Sequence, residues 1–212
     1  WRIMNKKYRL MLLGAMILLL LVGVLSRIME INKGLHIAQT KTYEMGEMVK
    51  LERDYFLEEY EVADDYAVTV EGASVKSCEE FLTEYGYEGT VDELFPVKSM
   101  TYPEIVYVVD VTIENIGTEE KETGINLSYF ELVATDYKLQ ISDELYTVAN
   151  PQIENGSQMF QLRPQSKVLI HLPYYFSVSY NYSYLTVQEV LEDDIYLVLS
   201  IYPTKKQVMI SC

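Results

Sequence analysis

The chain has 212 residues, 49% of them hydrophobic, with 17 basic and 32 acidic side chains and a net charge of −15. This composition is typical of one folded globular domain with a short appendage, and the negative charge excludes a basic nucleic-acid-binding protein. Charge is unevenly spread: residues 1–33 contain six basic residues and one acidic residue, whereas residues 34–212 contain 11 basic and 31 acidic residues.

The first predicted element is a membrane-spanning helix. Residues 10–26 contain no charged side chain and lie between Arg9 and Arg27. Seventeen helical residues extend about 25 Å, and Ile28 and Met29 lengthen the apolar stretch towards the ~30 Å of a bilayer core. The stretch is apolar on every face, unlike the amphipathic helices of soluble proteins. We therefore predict a transmembrane helix over 10–29, in contact with the lipid bilayer, after a basic cytoplasmic N-terminus over 1–9.

This segment is either an uncleaved membrane anchor or a cleavable secretory signal. A basic start followed by an apolar run also describes a cleavable secretory signal, but no alternating small residues follow Leu25 to mark a cleavage site. We favour an uncleaved signal anchor that places the rest of the chain outside the cell, while cleavage would release it as a secreted protein. Residues 30–45 are predicted to form a linker, and residues 46–212 an extracytoplasmic domain.

Period-two alternation of hydrophobic residues dominates this domain and indicates strands with one buried face. Phe130 and Leu132 are predicted to face inward within one of them. Two short helices are predicted, one over 77–85, where Ser77 and Glu80 match a capping box, and one over 187–191. The predicted strands cover residues 48–51, 66–71, 105–114, 127–133, 168–173 and 195–202.

The order of these elements predicts the fold class. Seven or eight short strands without regular alternation of strands and helices indicate an all-β protein with an antiparallel β-sandwich and a short helical insertion. The N-terminal transmembrane helix precedes this sandwich in the predicted architecture.

Three segments carry a resemblance to a known family: VTIENIG at 111–117, SYFEL at 128–132, and LRPQSK at 162–167 leading into VLIHLPYYF at 168–176. Together they resemble the immunoglobulin-like extracellular domains of unknown function on membrane-anchored surface proteins of Gram-positive (Firmicutes-type) bacteria. The resemblance implies an immunoglobulin-like sandwich at a bacterial cell surface, and it supplies no catalytic residues.

Motifs for catalysis or metal binding are absent from the sequence. His36 and His171 have no ligand partner at helical or hairpin spacing, and the paired acidic residues do not alternate as in a calcium-binding loop. We predict no metal, no cofactor and no enzymatic activity. A remote alternative is a sortase-like cysteine transpeptidase, with Cys212 at a strand end as nucleophile and His171 as base.

The two cysteines leave two alternatives open. Cys78 and Cys212 form a disulfide if the domain lies in an oxidising compartment, or they remain free thiols, as in many exported Gram-positive proteins.

Tyrosine is the most unusual component, with 19 residues. Aromatic rings with a polar tip are common on binding surfaces, although tyrosine is equally a good core residue of strands. The candidate binding residues, which fall within eleven positions, are Tyr174, Tyr175, Tyr180, Tyr182 and Tyr184.

These observations predict a membrane-anchored cell-surface protein whose acidic domain interacts with an envelope protein or a glycan, without nucleic acid and without catalysis. The alternative is a sensor-accessory module that binds a glycan or small ligand through the tyrosine-rich segment.

Overall fold

The computed structural model describes residues 6–33, 38–96, 101–120, 124–177 and 185–212. The chain divides into two compact units, residues 1–37 and residues 38–212. Tyr180, Tyr182 and Tyr184 lie outside the described residues, as does His36.

The first unit contains one long helix, α1 (Lys6–Asn32). Its segment Met11–Asn32 is long and apolar enough to cross a membrane and spans about 33 Å. The side chains of this segment are exposed, and Arg27 pairs with Glu30 at 2.7 Å in the last turns. The predicted apolar helix is confirmed, and it is compatible with either a membrane anchor or a signal sequence.

The second unit is mostly β. Four further helices are present among its described residues: α2 (Cys78–Glu84), α3 (Val91–Leu94), α4 (Asp143–Ala149) and α5 (Val187–Glu192). The strands are β1 (Gln39–Tyr43), β2 (Met48–Lys50), β3 (Tyr66–Lys76), β4 (Ile105–Asn115), β5 (Ile125–Asn126), β6 (Glu131–Val133), β7 (Lys138–Ile141), β8 (Met159–Phe160), β9 (Ser166–Phe176), β10 (Ile195–Ser200) and β11 (Thr204–Ile210).

Nine of these strands form one sheet in the order β1-β11-β10-β6-β7-β9-β4-β3-β2, and β5 and β8 form a separate two-stranded ribbon. All neighbours in the large sheet are antiparallel except β1 and β11, which run parallel. Tyr55, which follows the edge strand β2, forms a β-bridge with Tyr202, which precedes β11 near the opposite end of the strand order. The sheet is therefore nearly closed and barrel-like.

The mostly-β class is confirmed, whereas two separate sheets packed face to face are not found. The reason lies in β7, which pairs with β6 on one side and with β9 on the other. Hydrogen bonding thus continues from one half of the sheet into the other, and the two layers expected of a sandwich are joined.

Two hydrophobic clusters stabilise this unit. The larger fills the inside of the barrel and includes Tyr107, Val109 and Leu132. The smaller lies on the outer face of β4, where Val106 and Val108 pack against residues of α2, α3 and α4. Because the helices cover this face, residues Ile105–Val109 are buried on both sides of the sheet, and alternation is seen only in the second half of β4.

The predicted helices are confirmed as α2 and α5. Ser77 caps α2 through a complete capping box with Glu80, and Thr186 and Glu189 form the same motif at α5. Residues 39–43, predicted to belong to the linker, instead form β1. Residues 127–129 form a 3-10 turn rather than a strand, while Phe130 and Leu132 are buried as predicted.

Candidate functional site

A buried lysine joins β11 to the chain that follows the edge strand β2. Lys206 on β11 is 1% exposed, and its Nζ lies 2.8 Å from Oδ2 of Asp54 and also pairs with the carboxylate of Glu52. The same ammonium donates to the carbonyl oxygens of Lys50 (2.6 Å) and Leu51 (3.2 Å). We call Lys206, Glu52 and Asp54 the Lys206 cluster. The ion pairs and hydrogen bonds of this cluster offset the free-energy cost of burying the ammonium group of Lys206.

Lys206 and its carboxylate partners stabilise each other's charged forms. Burial lowers the pKa of Lys206, but the hydrogen bonds and negative charges of Asp54 and Glu52 outweigh it, so the pKa lies above its usual value. The hydrogen bond and positive charge of Lys206 hold the pKa of Glu52 below its usual value. The second oxygen of Asp54 accepts a hydrogen bond from the Thr204 backbone N–H at 3.0 Å. The cluster thus fixes the chain that leaves β2.

This chain continues into the aromatic loop, which we define as residues 55–61. Tyr55 exchanges backbone hydrogen bonds with Tyr202 of 2.7 and 2.9 Å, and the two rings lie 5.6 Å apart. Phe56 packs against Tyr129 and Phe130, with ring centroids 5.9 and 6.4 Å away. The first half of the loop is therefore attached to the barrel by both backbone and side chains.

Glu61 fixes the rest of the loop. Its Oε2 accepts hydrogen bonds from the backbone N–H groups of Phe56 (3.0 Å) and Leu57 (2.9 Å). Burial together with the negative charge of Glu61 raises the pKa of Tyr129. A 3-10 turn over Glu59–Glu61 completes the loop.

The consequence of this arrangement is the exposure of two large apolar side chains on a fixed backbone. Leu57 is 73% exposed and Tyr60 is 80% exposed. Ile201, also exposed, lies next to the loop because its N–H donates to the carbonyl oxygen of Tyr55 at 2.9 Å. Residues 52–65 carry seven acidic residues and one basic residue, Arg53. The surface is thus an apolar tip with an acidic surround.

The family model described as "Domain of unknown function (DUF5028)" matches residues 40–206. The chain belongs to this family. No curated protein and no solved structure matches the chain. The DUF5028 match contains the whole aromatic loop and ends at Lys206, so that both features lie within the family's domain.

Tyr174 and Tyr175, the first two residues of the predicted tyrosine-rich binding segment, are not exposed. Tyr174 on β9 is fully buried inside the DUF5028 barrel, where its hydroxyl donates to the carbonyl oxygen of Phe130 at 2.9 Å. Burial raises its pKa well above the usual value. Tyr175, on the opposite face of the strand, is also buried. Both rings are core residues of a strand covered on both faces in the described structure, and ligand contact by the tyrosine-rich segment stays a prediction.

Both cysteines of the DUF5028 chain are free in the structure, and no disulfide joins them. Cys78 begins α2 inside the outer cluster, where burial raises its pKa to about 12. Cys212 follows β11 and is exposed. Of the two alternatives raised by the sequence, the structure contains the free thiols.

His171 lies on the outer face of β9. Its Nδ1 is 2.6 Å from Oδ1 of Asp110, and its ring contacts Tyr85 at 5.1 Å in an edge-on arrangement. Cys212 is not among its contacts in the described part of the chain, so the geometry offers no support for a sortase-like pair. Among the described residues, no group of three His, Cys, Asp or Glu side chains is placed to hold a metal ion.

The sequence analysis did not predict the aromatic loop as a binding surface. YFLEEYE at 55–61 mixes aromatic and acidic residues without a period of two or 3.6, and such a pattern is typical of irregular structure. The one feature of the sequence that could have indicated this surface is the presence of three aromatic residues within six positions of an irregular, acidic segment.

Proposed function

We propose that the DUF5028 domain is a protein-interaction module that binds through the aromatic loop, with Leu57 and Tyr60 entering an apolar pocket bordered by basic residues on a partner protein. The observation that carries this proposal is the 73% and 80% exposure of these two side chains on a backbone held by Glu61 and Tyr202.

Burial of the loop tip supplies the driving force. Complete burial of one leucine side chain contributes about 1.5–3 kcal/mol, and tyrosine is among the residues that most often dominate binding energy. A loop already held in one conformation loses little entropy on binding. The exposed carboxylates of Glu58, Glu59 and Asp64 favour a basic surface around the partner's pocket.

We further propose that this interaction takes place at a membrane, on the extracytoplasmic side, with α1 as an uncleaved anchor. The support is the apolar length of Met11–Asn32 and the basic residues that precede it. An immunoglobulin-like type of extracellular domain, a Gram-positive source and the absence of catalysis belong to the same proposal. They rest on the sequence resemblance and the lack of a catalytic motif.

The proposal is tested on the full chain in its native membrane. After mild detergent extraction, the wild-type chain is expected to migrate on a native gel within an assembly larger than its own 24.6 kDa and detergent require. Leu57→Ala with Tyr60→Ala should weaken that assembly by about 100-fold or more in affinity and shift the chain to smaller size.

The control pair is Met159→Ala with Leu169→Ala, which removes exposed apolar side chains elsewhere on the domain. It should leave migration unchanged. Equal migration of the wild type and the loop variant would contradict the proposed function.

A further inference from the structure

A second surface, which shares no residue with the aromatic loop, lies between α2 and α3 on the outer side of the barrel. It is a groove of about 320 Å³. Leu82 and Val91 are buried at its base, and Tyr87 and Tyr102 are half-buried at its sides. This volume lies within the range of small-molecule sites.

The two tyrosine rings are held in place by their neighbours. Tyr87 packs so closely over Gly89 that a Cβ atom on Gly89 would lie 2.5 Å from Cε1 of the ring. The Tyr102 hydroxyl donates to Oδ1 of Asp92 at 3.2 Å. Both rings also pack against the outer hydrophobic cluster, so that each is supported on one side and lines the groove on another.

The charge of the groove is negative. Its described lining includes the carboxylates of Glu79 and Asp92 and no basic side chain. Glu79 and Asp92 line the groove together with Tyr102. Burial and the negative charges of Asp92 and Glu79 raise the pKa of this tyrosine. Fixed negative charge beside aromatic rings is the environment that recognises an organic cation.

We propose that the α2–α3 groove binds a small organic cation through its ammonium group, in contact with the rings of Tyr87 and Tyr102 and the carboxylate of Asp92. The rings attract the cation through their negative faces, and Leu82 and Val91 contact its hydrocarbon part. Glu79 adds long-range attraction. The site is independent of the aromatic loop.

Calorimetric titration of the full chain in dodecyl maltoside micelles tests this proposal, since this detergent carries no ammonium group. The probes are choline and n-butylamine, with 3,3-dimethylbutan-1-ol as the uncharged isostere of choline. Saturable binding of either cation without binding of the alcohol is expected, and the preferred cation distinguishes quaternary from primary ammonium. No binding of either cation, or equal binding of the alcohol, would overturn the proposal.

Variants separate the groove from the rest of the acidic surface. Tyr87→Leu keeps apolar volume but removes the aromatic face and should weaken binding about fivefold. Asp92→Asn should weaken it by a similar factor. Glu88→Gln, exposed and outside the groove lining, should bind like the wild type. If Glu88→Gln and Asp92→Asn weakened cation binding equally, the binding would depend only on the overall surface charge. This result would contradict the proposal.

Discussion

The ammonium of Lys206 lies 2.8 Å from the carboxylate of Asp54, and this pair joins the start of β11 to the chain that follows β2. Lys206 and Asp54 are both buried, and Glu52 and two backbone carbonyl oxygens complete the surroundings of the ammonium. The same segment carries the aromatic loop. The Lys206–Asp54 pair therefore fixes the point from which the aromatic loop leaves the barrel.

Replacement of Lys206 by Met should destabilise the domain by about 3–5 kcal/mol, because Asp54 would remain buried without its ion-pair partner. Urea unfolding followed by circular dichroism measures the loss. Lys205→Met, which alters the neighbouring residue of β11, should change stability by no more than about 0.5 kcal/mol. Equal effects of the two substitutions would show that the Lys206 cluster contributes nothing specific.

The contribution of Glu52 should depend on pH. Because Lys206 depresses the folded-state pKa of Glu52, the stabilisation is present above the unfolded pKa of about 4.3 and is lost as pH falls through the lower folded value. Glu52→Gln should thus lower the unfolding midpoint at pH 7 and match the wild type at strongly acidic pH. Thermal unfolding from pH 7 to pH 3 measures this, with Glu71→Gln, an exposed residue of β3, as the control. A difference between wild type and Glu52→Gln that persists unchanged to pH 3 would disprove the linkage.

Asn150 should be important for the attachment of α4 to β9. Its side chain is fully buried, donates to the carbonyl oxygens of Tyr146 and His171, and accepts a hydrogen bond from the His171 N–H. Asn150→Ala should cost about 2–4 kcal/mol in free energy of unfolding because these partners lose their hydrogen bonds. Gln152→Ala, an exposed amide with one 3.4 Å contact to β9, is the matched control and should be nearly neutral.

The two thiols should differ in reactivity. Iodoacetamide at pH 8 should label exposed Cys212 in the folded chain, whereas Cys78, buried and with a pKa of about 12, should react only after unfolding. Intact mass spectrometry counts the added groups. A chain that takes up no label and has a mass 2 Da lower would instead contain the disulfide.

Local signals in the sequence predicted local structure well. Ser77 and Glu80 identify α2 because a capping box involves residues only three positions apart. Strand alternation identifies the second half of β4, where one face is buried and the other is not.

Features that depend on distant partners were not predictable in this way. β1 has the sequence QTKTY with no buried face, and it forms only because β11 offers a parallel edge. Lys206 resembles an outward-facing strand residue until Asp54 and Glu52 are brought to it. Tyr174 and Tyr60 are the same residue type, yet one is buried and the other is 80% exposed, so the abundance of tyrosine alone does not locate a binding surface.

The central claim is that the aromatic loop is the contact surface for a partner protein. The most direct measurement places a photoreactive benzoylphenylalanine at position 60 of the full chain and irradiates cells that express it. We predict one discrete crosslinked product that requires Leu57, since Leu57→Ala should remove it, and no product when the probe stands at position 169 on β9. Equal crosslinking from positions 60 and 169, or none from position 60, would contradict the account.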